Sequence, residues 1–311
     1  MPAIKKFSGY SAIALIIIFL VSSPVFSALT RPARIAIEFQ YDDARDFHEG
    51  LAAVKKKGNW GYIDIHGQEA IQIAHKVLEP GNFSEGVAFL GDHYIDLDGN
   101  PAFITEDEPG IKFFDRGREF SSGLAAVKTG GLWGFIDLTG HFAIAPLYED
   151  VQNFSEGLAA VKLNGRWGFI DMFGHLIIPY EFVNIGSFHD GLAKFYSRGR
   201  WGYIDRNGKI RIKAAFYEAG DFNNGLAPVR MRTNYRGWGF INKAGRFAIK
   251  RRYNFAEEFS DGLAGVAGDA RYGFINARAE WEYSPFYDGV RKFSEGFAAV
   301  RQGSKWGYIV R

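Results

Sequence analysis

Residues 157–171 read GLAAVKLNGRWGFID, and residues 123–137 rewrite the phrase as GLAAVKTGGLWGFID. In LAAVK, Leu158 and Ala160 share one face while Ala159 and Val161 share the other. In WGFID, Trp167 and Phe169 lie on one side, Gly168 and Ile170 on the opposite one. Side chains alternate along a strand, so both strands are apolar on both faces and must be covered on both. LNGR between them supplies a hairpin loop with a glycine for the left-handed position. The phrase is a hairpin that requires neighbours in front and behind.

Those neighbours are copies of itself. An F-x-x-G-[LVF]-A phrase begins at Phe47, Phe83, Phe120, Phe154, Phe188, Phe222, Phe259 and Phe293, with spacings of 36, 37, 34, 34, 34, 37 and 34 residues. A D-x-x-G turn recurs after the hairpins, as at Asp64–Gly67, Asp137–Gly140, Asp171–Gly174 and Asp205–Gly208. Aspartate caps such a turn with its side chain and glycine closes it. A third strand comes next, HLIIPYEF in the fourth unit. Regular short strands between turn signals predict an all-β fold of eight tandem antiparallel β-meander repeats, about 34 residues each. Tryptophan supplies the apolar area that joins one unit to the next, and the adjacent glycine admits a close backbone. The units leave no room for a separate catalytic domain.

The phrase G-L-A-x-V-x-x-x-G-[KR]-W-G-[FY]-I-[DN]-x-x-G resembles the WG-containing (KWG) repeat family of bacterial exported proteins. Six intact tryptophan–glycine pairs carry the resemblance, at Trp60, Trp133, Trp167, Trp201, Trp238 and Trp306, over roughly residues 35–311. It implies a β-repeat interaction scaffold and brings no catalytic residue with it.

Two closures fit the pattern. RIAIEFQYDDARDF, from Arg34, reads as a third strand without a preceding hairpin, and WGYIVR at the other end as a hairpin without a third strand. Pairing them closes a propeller-like ring; units that begin at the third strand give a curved β-solenoid. Three visible strands per unit are lean for a propeller blade, which has four.

Residues 1–27 read as a cleaved signal peptide: Lys5 and Lys6, then the apolar run SAIALIIIFLV, then Val25 and Ser27 before the cut. The run is shorter than the roughly 20 residues of a bilayer span. The mature domain is then 28–311, periplasmic or secreted, with no membrane span after cleavage. Its charge balances, since 37 − 2 basic residues meet 35 acids. A neutral total gives no support to specific nucleic-acid binding. Absence of cysteine excludes disulfides and thiolate metal sites.

Departures from the repeat are the informative places. The second unit shrinks to GVAFLGDHYID, with Asp92 and His93 where tryptophan and glycine belong, and then gains residues around the acidic loop TEDE. The sixth has a longer basic tip, PVRMRTNYRGWGF, and the seventh has Tyr272 for tryptophan. None of the seven histidines has close metal-ligand spacing, and no nucleophile elbow or phosphate loop occurs. No catalytic residue, cofactor or metal is expected.

Charge is patterned within the units. Lys55, Lys128, Lys162, Arg230 and Arg301 end the first hairpin strand, and Arg166, Arg200, Arg232 and Arg236 lie at tips, while acids gather at the opposite ends. Stacked units add these into a basic rim, expected to be strongest at the sixth unit, and an acidic edge. The sequence therefore predicts an exported, non-enzymatic scaffold that binds a protein or an anionic envelope component. Two other classes compete: a cell-wall or glycan hydrolase with carboxylates near the irregular second repeat, and a passive structural spacer. A hydrolase needs two carboxyl groups roughly 5–10 Å apart in a cleft. Oligomeric state and partner identity are not encoded in these patterns.

Overall fold

The computed structural model describes residues 33–73, 79–104, 110–231 and 237–311. The chain is all-β there, and the fourth unit shows the plan. Its strands Asp150–Val151, Leu158–Leu163, Arg166–Asp171 and Leu176–Phe182 lie side by side in chain order and antiparallel. The first is the strand the sequence concealed, because two residues are too few to show an alternation. Each regular blade therefore has the four strands of a propeller blade.

Eight equivalent units are not what forms. Seven sheets are four-stranded, while the second unit contributes only a two-stranded pair, Val87–Phe89 with Tyr94–Asp96. Its hairpin is too short to carry the outer strands in register. Short links remain on either side of that pair, from Gly81 N to Phe89 O at 2.8 Å and from Ala102 N to Tyr94 O at 2.8 Å.

The two ends of the chain share one sheet. Arg34–Tyr41 pairs antiparallel with Lys305–Val310, followed inward by Phe297–Gln302 and Gly289–Ser294. This closing blade packs on the first: Ile37, Tyr41 and Tyr308 share one core cluster with Phe47, Val54 and Ile63. The ring is closed, and the open solenoid is corrected to a propeller-like ring. Closure gives the terminal hairpin the partner its buried faces require.

Each junction between units uses the same aromatic device. The aromatic residue two after the tryptophan meets the core phenylalanine of the next unit. Phe169 and Phe188 lie 4.6 Å apart, Phe135 and Phe154 4.8 Å, and across the closure Tyr308 and Phe47 4.8 Å. Tilted and edge-on pairs at such distances add about 0.5–1.5 kcal/mol beyond their buried area. Trp133 and Trp167 are buried in these inter-unit clusters, as expected of the repeated tryptophan.

The glycine beside it answers to the outer strand. Register slips between Trp167↔Phe182 and Phe169↔Ile178, so the outer strand bulges over Gly168. A Cβ there would sit 2.5 Å from the Ile178 carbonyl oxygen. Any larger residue would push the outer strand off the blade.

Candidate functional site

An antiparallel meander gives each blade two ends. Turns after the core phenylalanine and the D-x-x-G turns lie at one end, hairpin tips and inter-blade connections at the other. The tip end holds the residues expected to form the basic rim. Lys55, Lys128, Lys162, Arg230 and Arg301 occupy one register position, directly across from Trp60, Trp133, Trp167, Trp238 and Trp306. All five are half-buried. Long basic side chains cover apolar surface with their stems and keep the charged head in water. Lys55, Arg230 and Arg301 hold their heads over the indoles, a role not foreseen from the sequence.

Some heads are also engaged. Arg230 forms an ion pair with Glu218 and lies 5.3 Å from the Tyr217 ring centroid and 5.8 Å from that of Trp238. Arg301 donates from Nη2 to the Asp288 carbonyl at 2.8 Å and lies 5.8 Å from the Trp306 ring. Lys55 Nζ stands 5.8 Å over Trp60. Arg166 and Arg200 are exposed, and donate to the carbonyls of Glu181 at 3.4 Å and Gly199 at 2.8 Å. Arg232 and Arg236 lie outside the described residues, as do the acidic loop 105–108 and residues 1–27.

Carboxylates share the tip end. Asp42, Asp115, Glu149 and Asp288 accept the N–H groups of tip glycines 58, 131, 165 and 303. Asp42 also pairs with Lys305 and Asp288 with Arg271, each at 2.5 Å. Hydrogen bonds from the Gly303 backbone first, and the Arg271 charge after, hold Asp288 below the usual carboxylate range. In units three to five Lys128, Lys162, Arg166, Arg198 and Arg200 have no ion pair among the described residues, although Asp115 and Glu149 stand at the same end.

The opposite end is acidic in composition but its carboxylates are occupied. Glu49, Glu85, Glu156, Asp190, Asp261 and Glu295 have φ between 49° and 56° and sit in tight two-residue turns before a glycine. Each accepts the N–H of the equivalent glycine one unit on. The pairs are Glu49–Gly86 at 2.9 Å, Glu85–Gly123 at 2.9 Å and Glu156–Gly191 at 3.1 Å. They continue as Asp190–Gly225 at 2.6 Å, Asp261–Gly296 at 3.0 Å and Glu295–Gly50 at 2.9 Å. The third and sixth units carry Ser122 and Asn224 at that position, and the belt is interrupted there. An acid before glycine in six of the eight periods was the signal available in the sequence. The D-x-x-G aspartates are likewise used locally: Asp171 Oδ1 accepts from the N–H of Phe173 at 2.9 Å and of His175 at 2.8 Å.

The innermost strands enclose a channel. His48, Ser84, Ser121, Ser155 and His189, each following a core phenylalanine, line one cavity of about 400 Å³ drawn from five successive units. On its other side, burial first and then the charges of Asp46 and Glu258 push the Glu257 carboxyl up to about 8, against the pull of Arg291 and Lys292. Burial also raises Asp46. A gathering of perturbed acids thus lies between the seventh, closing and first blades, not at the irregular second unit. The described residues contain no group of three or more side chains placed to hold a metal ion, and no helix long and apolar enough to cross a membrane.

The profile of the "WG containing repeat" family matches residues 33–60, 114–133, 133–167, 167–200, 201–235, 238–267 and 272–306. The unmatched interval contains the irregular second unit. No curated protein sequence matches the chain. In fold it is similar to a eukaryotic initiation factor, with a TM-score of 0.57 at 12% identity, over 90% of this chain and 83% of that one. PorZ of Porphyromonas gingivalis, described as a surface component of the type-IX secretion system, gives 0.43 at 12% identity over 86% of this chain and 42% of that one. Matched over more than half its length, and built from the tryptophan–glycine hairpins that define the repeat, the chain belongs to the WG-containing repeat family.

Proposed function

We propose that the protein is an exported, non-enzymatic scaffold whose hairpin-tip end binds an anionic envelope component or an acidic protein face. The observation that carries this reading is the run of five cationic side chains without an ion pair, Lys128, Lys162, Arg166, Arg198 and Arg200, at the tip end of three successive units. Segregated charge steers an oppositely charged partner even when the total is zero. Arg230 and Arg301 belong to blade packing and serve the rim less directly.

The test follows from that division. Vesicles containing phosphatidylglycerol and immobilised polyglutamate should both retain the mature protein at low salt. The variant Lys162→Gln/Arg166→Gln/Arg200→Gln should lose that retention with its unfolding midpoint unchanged, and added salt should release the wild type. Full retention by the folded triple variant at low salt would exclude this sector.

Hydrolysis has one observation in its favour, the raised Glu257, since a general acid works best with a pKa near the operating pH. Release of reducing ends from peptidoglycan by wild type and not by Glu257→Gln would replace the scaffold reading.

A further inference from the structure

Two residues before each core phenylalanine, the innermost strand carries Arg45, Gly81, Arg118, Gln152, Gly186, Gly220, Glu257 and Arg291 in ring order. The three arginines behave alike. Arg45, Arg118 and Arg291 lie 5.9, 5.0 and 5.1 Å from the ring centroids of Trp60, Trp133 and Trp306 in their own blades. Each reaches a carboxylate of the following unit: Glu79 at 2.7 Å, Asp150 at 3.4 Å and Asp43 at 3.0 Å. In all three the Nε is buried and lacks a hydrogen-bond partner among the described residues.

The three glycines do not behave alike. At Gly186 the missing side chain is replaced by Lys194, whose Cε would lie 2.9 Å from an added Cβ. At Gly220 the place is taken by Glu258 Oε1, 2.5 Å from such a Cβ, and by Pro228. At Gly81 only the backbone and Cβ of Phe89 come near. No long side chain among the described residues enters the space, and a cavity of about 360 Å³ remains between Arg45 and Arg118. It lies where the second unit has lost its tryptophan and shortened its hairpin, so the departure from the repeat and the opening coincide.

Its walls offer both kinds of hydrogen-bonding group. Arg45 and Arg118 line it with partly exposed side chains, 27% and 35% accessible, and a guanidinium matches a carboxylate in bidentate geometry. Asn153 also lines it, and Glu119, which accepts from Asn82 Nδ2 at 2.9 Å, adds acceptor capacity. A simple anion would satisfy the arginines and face Glu119 unfavourably; a neutral sugar would leave the guanidinium edges unused. From this arrangement we infer that the cavity between Arg45 and Arg118 binds a small hydroxylated carboxylate of the sugar-acid type, its carboxylate on the arginines and its hydroxyls on Asn153 and Glu119. The volume falls within the range of small-molecule pockets.

Isothermal titration with D-glucuronate, D-glucose and acetate tests the assignment on the mature protein. Glucuronate should bind with a Kd on the order of 1 mM or tighter, the scale for a ligand of its size, and the other two at least tenfold more weakly. Arg118→Gln and Asn82→Ala should each weaken glucuronate by about tenfold. Arg291→Gln is the control, because it breaks the equivalent ion pair in the closing blade, away from the cavity. Equal loss in Arg291→Gln would trace the effect to the ring as a whole and overturn the site. Glucose binding as tightly as glucuronate, or no saturable glucuronate binding, would overturn the ligand class. The tip-sector triple variant should bind glucuronate as wild type does, so this outcome is separate from that of the proposed scaffold function.

Discussion

The fourth blade has four strands, a Trp167–Gly168 pair and a full hairpin, whereas the second unit has two short strands, Asp92–His93 and a shortened tip. Around the channel, however, the two meet their neighbours through the same contacts. Ser155 Oγ donates to the Phe188 carbonyl at 2.5 Å, and Ser84 Oγ to that of Phe120 at 2.7 Å. Phe169 packs on Phe188, and Tyr94 on Phe120 at 5.5 Å. Glu85 joins the carboxylate belt as Glu156 does. What the second unit gave up is its first and fourth strands and the tip of its hairpin, while these contacts stay. Continuity of the ring is therefore specified by the core phenylalanine, the residue after it and the aromatic it meets, and the flanking strands can be remodelled without opening it.

The largest test of this contrast is truncation of the outer aromatic in each unit. Trp167→Ala should lower stability by roughly 3–5 kcal/mol, as buried tryptophans do. Phe89→Ala in the second unit should cost clearly less, about 1–2 kcal/mol, because Phe89 is only half-buried. Half-buried Trp281, outside the repeated phrase, should also fall well below Trp167. Equal shifts in denaturant midpoint would break the distinction between units.

An intermediate effect is expected from the inner wall. The folded Glu257 carboxyl keeps its proton up to about pH 8, against an ordinary value of 4.5. Between those values the folded state binds more protons than the unfolded one, so stability falls as pH rises through the window. Glu257→Gln cannot ionise and should flatten the fall, leading wild type by about 2–4 kcal/mol at pH 9 and by little at pH 5. Parallel thermal melts at the two pH values decide it; an unchanged pH dependence would remove Glu257 from the account of ring stability.

The smallest effect sharpens the belt. Ser122 already has φ of 60°, the conformation its glutamate counterparts adopt. Ser122→Glu should supply the missing acceptor for Gly157 and raise stability by about 0.5–1.5 kcal/mol. No gain in midpoint would mean that the belt bonds are incidental to stability.

Repetition, strand order and the tryptophan–glycine device were legible because each recurs in phase and leaves a pattern in residue type. Closure was not, since pairing of Arg34–Tyr41 with Lys305–Val310 is set by curvature summed over many junctions. The innermost strand escaped because a pair such as Asp150–Val151 has no periodicity to read. The rim was half legible: lysines and arginines do recur at the tips, but that Lys162 stands across from Trp167 is a matter of register. Acids such as Glu156 looked like a charged edge because composition does not reveal which backbone N–H a carboxylate meets.

Joining both ends of the chain in one sheet also fixes an order of events. Contacts such as Tyr308 with Arg45 span 263 positions, so Arg34–Tyr41 waits for Lys305–Val310. At 5–20 residues per second that interval is roughly ten to fifty seconds. Throughout it Arg34–Tyr41 lacks its hydrogen-bonding partner and presents an unpaired edge, open to other chains. The ring thus couples its assembly to the arrival of Lys305–Val310: a chain truncated before Lys305 leaves Arg34–Tyr41 without its partner for good.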